Sequence, residues 1–143
     1  MKNKEVSVDI PLKAEFYDVD SMRIVWHGNY AKFYEVARCA LLDIIGYNYL
    51  EMEKSGYSWP VVKLNIKYIS SIEFSQEFHI KATLKEYTNR LKIAYYIYDK
   101  NNGKKLNIGE TVQMAIDIKS GSTQFVSPPI FIDLVENYIN EME

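Results

Sequence analysis

At 143 residues the chain has the length of one domain, and with 48% of it hydrophobic it can bury a sizeable core. The net charge is only -2, from interspersed acids and bases, which excludes a basic stripe for nucleic acid. One cysteine, Cys39, excludes an internal disulfide, Met1 to Pro11 lacks the apolar run of a signal peptide, and no segment approaches the roughly 20 apolar residues of a membrane span.

The expectation is a cytoplasmic protein with one domain over residues 1–143, since no linker, repeat or low-complexity stretch divides it. From Val6 to Phe16 every second residue is apolar (Val6, Val8, Ile10, Leu12, Ala14, Phe16), the period of a half-buried strand. Pro11 removes a backbone donor and predicts that this strand lies partly at a sheet edge. Tyr17 to Gly28 loses the pattern. Tyr30, Phe33, Tyr34, Ala37, Leu41, Ile44 and Ile45 then fall at helical spacing, with Asn29 suited to the N-cap and Gly46 to the stop. A short second helix is read over Tyr49 to Lys54, ended by Gly56.

Four strands follow. Leu64, Ile66 and Tyr68 alternate with Lys63, Asn65 and Lys67; Phe78, Ile80, Ala82 and Leu84 with polar residues; Leu91, Ile93, Tyr95 and Ile97 with Lys92, Ala94, Tyr96 and Tyr98. In the last, Leu106, Ile108, Val112, Met114, Ile116 and Ile118 are expected to share one face. Thr88-Asn89 and Asn101-Asn102-Gly103 join the later strands as hairpins. Pro128-Pro129 breaks the chain, and Phe131, Leu134, Val135, Tyr138, Ile139 and Met142 predict a closing amphipathic helix. Hairpins imply an antiparallel sheet, and one buried helix covers only one of its faces. The fold class is α+β, a sheet wrapped on a helix. Ala94, Tyr96, Tyr98 and Ala115 are expected on the other face, which fits either a subunit contact or half-exposed tyrosines.

Chemistry gathers between the first strand and the helix, where Asp18, Asp20, His27 and Gly28 meet just before a helix N-terminus. The unpaired N–H groups and positive dipole end there can hold the oxygen of a polarised carbonyl. A neighbouring carboxylate can act as base or nucleophile. By pattern alone, the same residues also read as turn and capping groups.

The run Asp18-x-Asp20, Ile24-Val25-Trp26-His27-x-Asn29-Tyr30 and Phe33-Tyr34-Glu35-x-Ala37-Arg38 resembles the signature of the 4-hydroxybenzoyl-CoA thioesterase family and its short-chain acyl-CoA relatives. Gly56-x-x-Trp59-Pro60-Val61-Val62, with a strand ending at Tyr68, resembles the family's second block. The resemblance implies a hot-dog fold, five antiparallel strands wrapped around a long central helix. It also implies a homodimer or homotetramer with sites at the subunit interface, and hydrolysis of an acyl-CoA or acyl-carrier-protein thioester. Asp20 matches the catalytic aspartate, as nucleophile or as base for water, and His27 the histidine of the acyl-CoA relatives. Backbone amides of Gly28, Asn29 and Tyr30 would polarise the carbonyl. Neither a metal nor a cofactor is implied, coenzyme A being part of the substrate.

Two positions depart from the pattern. Arg23 stands where many relatives have glycine, and Phe16 where some use a tyrosine hydroxyl. Arg23, Trp26 and Trp59 are therefore expected to shape the choice of acyl group. Elsewhere Cys39 reads as a buried structural thiol, Glu35 as the partner of Arg38, and His79 as a solvated residue. The competing functions are a hot-dog dehydratase or hydratase, acting at the α and β carbons, and a non-catalytic acyl-binding protein. Free thiol, a shifted double bond, or binding without turnover distinguishes the three.

Overall fold

The computed structural model describes residues 5–142; residues 1–4 and 143 of the expected domain lie outside the described residues. The elements in chain order are β1 (Ser7–Lys13), α1 (Tyr30–Ile45), α2 (Tyr49–Lys54), β2 (Tyr57–Ser58), β3 (Val61–Tyr68), β4 (Glu77–Glu86), β5 (Leu91–Asp99), β6 (Lys105–Gln113), β7 (Ile116–Asp117) and α3 (Pro129–Glu141). Period-two alternation builds a five-stranded sheet in the order β1-β4-β5-β6-β3, with every neighbouring pair antiparallel. α1 lies across its inner face and buries Phe33, Tyr34, Ala37, Leu41 and Ile45 against it. This is the expected α+β hot-dog arrangement. Gly46 ends α1 in the left-handed conformation (φ 88°), which costs glycine least. α3 closes the far end, where Phe131 packs on Tyr47 and Trp59. Among the described residues no helix is long and apolar enough to cross a membrane.

The edge positions follow from the chain's own chemistry. β1 pairs only with β4, so the missing donor at Pro11 falls on an edge strand as expected. The other edge is β3, whose Val61, Val62, Leu64 and Tyr68 are all exposed. A long apolar edge of this kind is a template for pairing with another chain.

Five expectations fail. Phe16 leaves the strand face and is 81% exposed, because the chain turns into one turn of 3₁₀ helix at Phe16–Asp18. Asn29 makes no side-chain cap; a 3₁₀ turn over His27–Asn29 starts the helical run early and leaves Asn29 in helical geometry. Ala115 is buried rather than on the outer face. Cys39 is exposed on α1. The largest failure is β6, whose phase from Asn107 on is opposite to the one read from its apolar residues, while Leu106, at a bulge, stays in the core as expected. Its register sets Asn107 opposite Ile97 and Gly109 opposite Tyr95, so Asn107, Gly109, Thr111 and Gln113 face inward and Ile108 and Val112 outward.

A polar strand face against a helix calls for partners, and most of this one finds them, although Asn107 Nδ2 and Gln113 Oε1 have none among the described residues. The Tyr34 hydroxyl of α1 donates to Asn107 Oδ1, and the Tyr95 hydroxyl is 2.8 Å from Thr111 Oγ1. The Tyr34 and Tyr95 rings stack at 4.2 Å. A Cβ on Gly109 would collide with the Tyr34 hydroxyl and the Asn65 carbonyl, so only glycine lets α1 come this close. Burial pushes the Tyr95 phenol up to about 12 and the Tyr34 phenol above its ordinary range, so both stay neutral donors.

Candidate active site

The segment from Glu15 to Tyr30 is irregular in sequence yet tightly held, and Asp18 is its anchor. Asp18 is 3% exposed; its carboxylate accepts from Lys32 Nζ at 2.7 Å and from the Glu15 N–H at 2.9 Å. Its carbonyl accepts from the Trp26 N–H (3.0 Å) and from Asn29 Nδ2 (2.7 Å). Asp18 therefore does the loop hydrogen bonding, and Asn29 spends its side chain on Asp18 rather than on its own helix.

Asp20 opens a tight turn closed by the Arg23 N–H on the Asp20 carbonyl at 3.0 Å. Its Oδ1 accepts from the Met22 N–H at 2.8 Å, an Asx turn that orients the carboxylate. Oδ2 has no hydrogen-bond partner among the described residues. Asp20 shares a small cavity of about 230 Å³ with His27, Tyr30, Tyr68, Ser70 and Ser71. Pockets that enclose a drug-sized ligand run to about 300–1,000 Å³, so this cavity by itself is too small to enclose one.

The helix start forms the opposite wall. The His27 ring is exposed, 5.0 Å from Trp26 between centroids, and the His27 carbonyl accepts from the Tyr68 hydroxyl at 2.7 Å. The Gly28 N–H meets no acceptor among the described residues, whereas the Asn29 N–H is already given to the Trp26 carbonyl at 2.9 Å. Of the amides expected to polarise a carbonyl, Gly28 is thus free and Asn29 is committed. A Cβ on Gly28 would run into the half-exposed Trp26 ring, so only glycine fits here; Trp26 borders Gly28 without lining this cavity. Tyr30 meets Tyr68 edge-on at 5.1 Å, and burial pushes its phenol up to about 12, so it stays neutral.

Two expected residues sit elsewhere. Arg23 is exposed, outside the residues lining this cavity, with φ 64°. A left-handed backbone is the physical reason a glycine suits this position. Trp59 is buried between Tyr47 and Phe131 and donates from Nε1 to the Tyr47 hydroxyl at 3.1 Å. It lines a larger cavity of about 680 Å³ beside the C-terminal half of α1, together with Leu42, Met52, Val61 and Gln113. Its rim carries Glu35 and Arg38, paired at 2.8 Å as expected. His79 likewise is not merely solvated: its Nδ1 lies 2.8 Å from Asp9 Oδ1. Residues that sequence reading missed are Tyr68, Ser70 and Ser71 at the small cavity and Gln113 at the large one. Tyr68 stands in the second block only as the end of a strand, Ser70 and Ser71 stand in no motif, and the wrong phase for β6 hid Gln113.

A half-buried carboxylate with one free oxygen thus lies eight residues before an unspent amide at the start of α1. The chain is similar to several known proteins. Residues 14–135 match the family model described as the Thioesterase-like superfamily. The Bacillus subtilis (strain 168) protein named "Putative acyl-CoA thioesterase YneP" is 32% identical over 100 residues, covering 70% of this chain and 72% of that one. "Putative esterase sll0410" of Synechocystis is 29% identical over 123 residues, covering 85% of this chain and 74% of that one. Among solved structures, the DHNA-CoA thioesterase of Staphylococcus aureus superposes with a TM-score of 0.81 at 25% identity, covering 95% of this chain and 90% of that one.

Proposed function

The chain belongs to the thioesterase-like superfamily and is a thioester hydrolase; from that premise we propose that it cleaves acyl-CoA to a free acid and CoA-SH, with Asp20 driving the hydrolytic step. The observation that carries this reading is the Asp20 carboxylate itself. One oxygen is held by the Met22 N–H and the other is free, in a cavity shared with His27 at the start of α1. The thioester carbonyl oxygen accepts the Gly28 N–H, where the helix dipole adds to the pull. Asp20 then acts as base for water or as nucleophile. As base it takes a proton while the water oxygen bonds to the acyl carbon; the C–S bond breaks and the departing sulfur takes a proton to become CoA-SH. As nucleophile its oxygen bonds to the acyl carbon while the C–S bond breaks, the CoA thiolate leaves and takes a proton from water, and a second water opens the acyl-aspartyl anhydride to the free acid and the Asp20 carboxylate. In either course His27 orients water or the carbonyl, Tyr68 holds the His27 backbone, and Trp26 walls the acyl side.

The exposed β3 edge supports assembly. We place a second copy edge to edge along β3, giving a homodimer that can pair further into a tetramer. A two-fold axis makes that pairing antiparallel, so the Val61 end of one β3 lies beside the Tyr68 end of the other. The small Asp20 cavity is then completed by the large cavity of the partner. No metal or cofactor enters the scheme.

Free-thiol release over a panel of acyl-CoAs tests the activity, with light scattering for the assembly. Thiol release that depends on Asp20 supports the reading. An intact thioester with a shifted double bond would replace it with dehydratase chemistry, and a stable, active monomer would remove the shared site.

A further inference from the structure

We propose that Tyr68 is a positioning residue of the hydrolytic site, and that its hydroxyl aims and strengthens the Gly28 N–H through the peptide that joins His27 to Gly28. The inference deepens the hydrolase reading above and rests on it. Its starting point is a hydrogen bond spanning 41 residues, in which the Tyr68 hydroxyl donates to the His27 carbonyl at 2.7 Å. That carbonyl and the Gly28 N–H are the two ends of one peptide unit. The unit is planar, and no peptide bond among the described residues is cis, so the two groups point in opposite directions. A donor that fixes the oxygen therefore fixes the direction of the N–H, which meets no acceptor of its own among the described residues.

Tyr68 is itself held from two sides. As the last residue of β3 it sits opposite Asn107 of β6, and the next two N–H groups, of Ile69 and Ser70, both donate to the Leu106 carbonyl. Its ring meets the buried ring of Tyr30 edge-on at 5.1 Å, with the planes at 90°. The sheet thus places its backbone and α1 places its ring. The hydroxyl reaches the start of the helical run already ordered, before any substrate arrives. Tyr68 also lines the Asp20 cavity, so the residue that holds the peptide belongs to the same site.

The effect on the reaction is electronic as well as geometric. Donation to the His27 oxygen draws electron density from the amide nitrogen and makes the Gly28 N–H a stronger donor, hydrogen bonds in such a chain strengthening one another by about 10–30%. A stronger donor gains more from the oxyanion of the transition state than from the neutral thioester carbonyl. Removing the Tyr68 hydroxyl should therefore lower kcat and leave KM nearly unchanged. The expected loss is about tenfold, the worth of one neutral hydrogen bond and less than the roughly 10²–10³ of deleting an oxyanion donor outright.

Tyr68→Phe removes the hydroxyl and keeps the ring on Tyr30, and thermal denaturation checks that the variant folds. Thiol release gives its kcat and KM. Infrared spectroscopy of a bound acyl-CoA with an isotope-labelled thioester carbonyl reads the pull on the oxygen directly. The label is followed in Asp20→Asn and in Asp20→Asn/Tyr68→Phe, where the substrate stays uncleaved. The bound carbonyl is expected at a lower frequency than in water, and loss of the hydroxyl should move it back up. Tyr68→3-fluorotyrosine, a more acidic phenol of nearly the same shape, should move it further down. A purely structural tie between β3 and α1 would change kcat or Tm and leave this frequency unchanged. An equal frequency with and without the hydroxyl, a bound carbonyl at its solution frequency, or a raised KM at constant kcat overturns the proposal. If the wild-type protein releases no thiol from any acyl-CoA, the hydrolase reading fails instead. The carbonyl frequency in the wild type and in Tyr68→Phe then still decides the role of Tyr68.

Discussion

Asp18 and Asp20 are two carboxylates separated by one residue, and the structure assigns them opposite sensitivities to the same substitution. Asp20→Asn keeps an oxygen to accept the Met22 N–H, so the turn survives and stability should change by no more than about 0.5 kcal/mol, the usual range for a surface exchange. What is lost is the negative charge. Without it neither proton abstraction nor nucleophilic attack is available, and kcat should fall by about 10²–10⁴-fold, on the order of 2.7–5.5 kcal/mol of barrier. Asp18→Asn works the other way. The buried carboxylate takes two hydrogen bonds, one from the half-exposed Lys32 ammonium. An amide can satisfy only one of these donors with its oxygen and presents its own N–H to the other. Leaving a buried group unsatisfied costs about 1–3 kcal/mol, which at roughly 2–4 °C per kcal/mol is a fall in Tm of several degrees. The two variants are compared side by side, by thiol release from one acyl-CoA and by thermal unfolding. Near-wild-type turnover in Asp20→Asn refutes the mechanism, and an unchanged Tm in Asp18→Asn refutes the anchoring role.

Three further outcomes are expected. His27→Ala should lower turnover by about tenfold to a hundredfold, short of the full effect of a general base; a fully active variant makes the exposed ring a bystander. Arg23→Gly should leave Tm equal or higher, because it relieves a side chain from the left-handed backbone (φ 64°), with the ranking of acyl groups unchanged; an altered ranking returns Arg23 to the acyl pocket. In alkaline unfolding, burial of Tyr95 and the Asp9 hydrogen bond to Tyr98 each push a phenol up to about 12, against about 10 in an unfolded chain. The folded state thus keeps protons that the unfolded state releases, so this stability is whole below pH 10 and is lost as pH rises toward 12. Tyr98→Phe should flatten that loss, and an equally steep loss in the variant would contradict it.

Local periodicity made most of the elements legible without a structure. The span of α1, its stop at Gly46, the short helix ended by Gly56, the edge position of β1 and the inward faces of β3, β4 and β5 follow from residues a few positions apart. Steric and hydrogen-bonding rules act over that same range, which is why they can be read along the chain. That Asp20 and His27 share a cavity was legible too, since both lie within eight residues of one irregular segment. The phase of β6 was not. Whether Asn107 or Ile108 faces inward depends on the register with β5, and a slip of one residue exchanges the two faces. Apolar residues alone would favour Ile108. The stacked Tyr34 and Tyr95 and the close passage of α1 over Gly109 reverse the choice, because each hydroxyl finds a partner on the strand. The same long-range packing decided that Asp18 is buried and Asp20 half free, that Tyr68 reaches His27 across 41 residues, and that Trp59 and Gln113 line a cavity apart from Asp20. Contacts between residues distant in sequence carry no period along the chain, so they exist only once the sheet has closed on its helix.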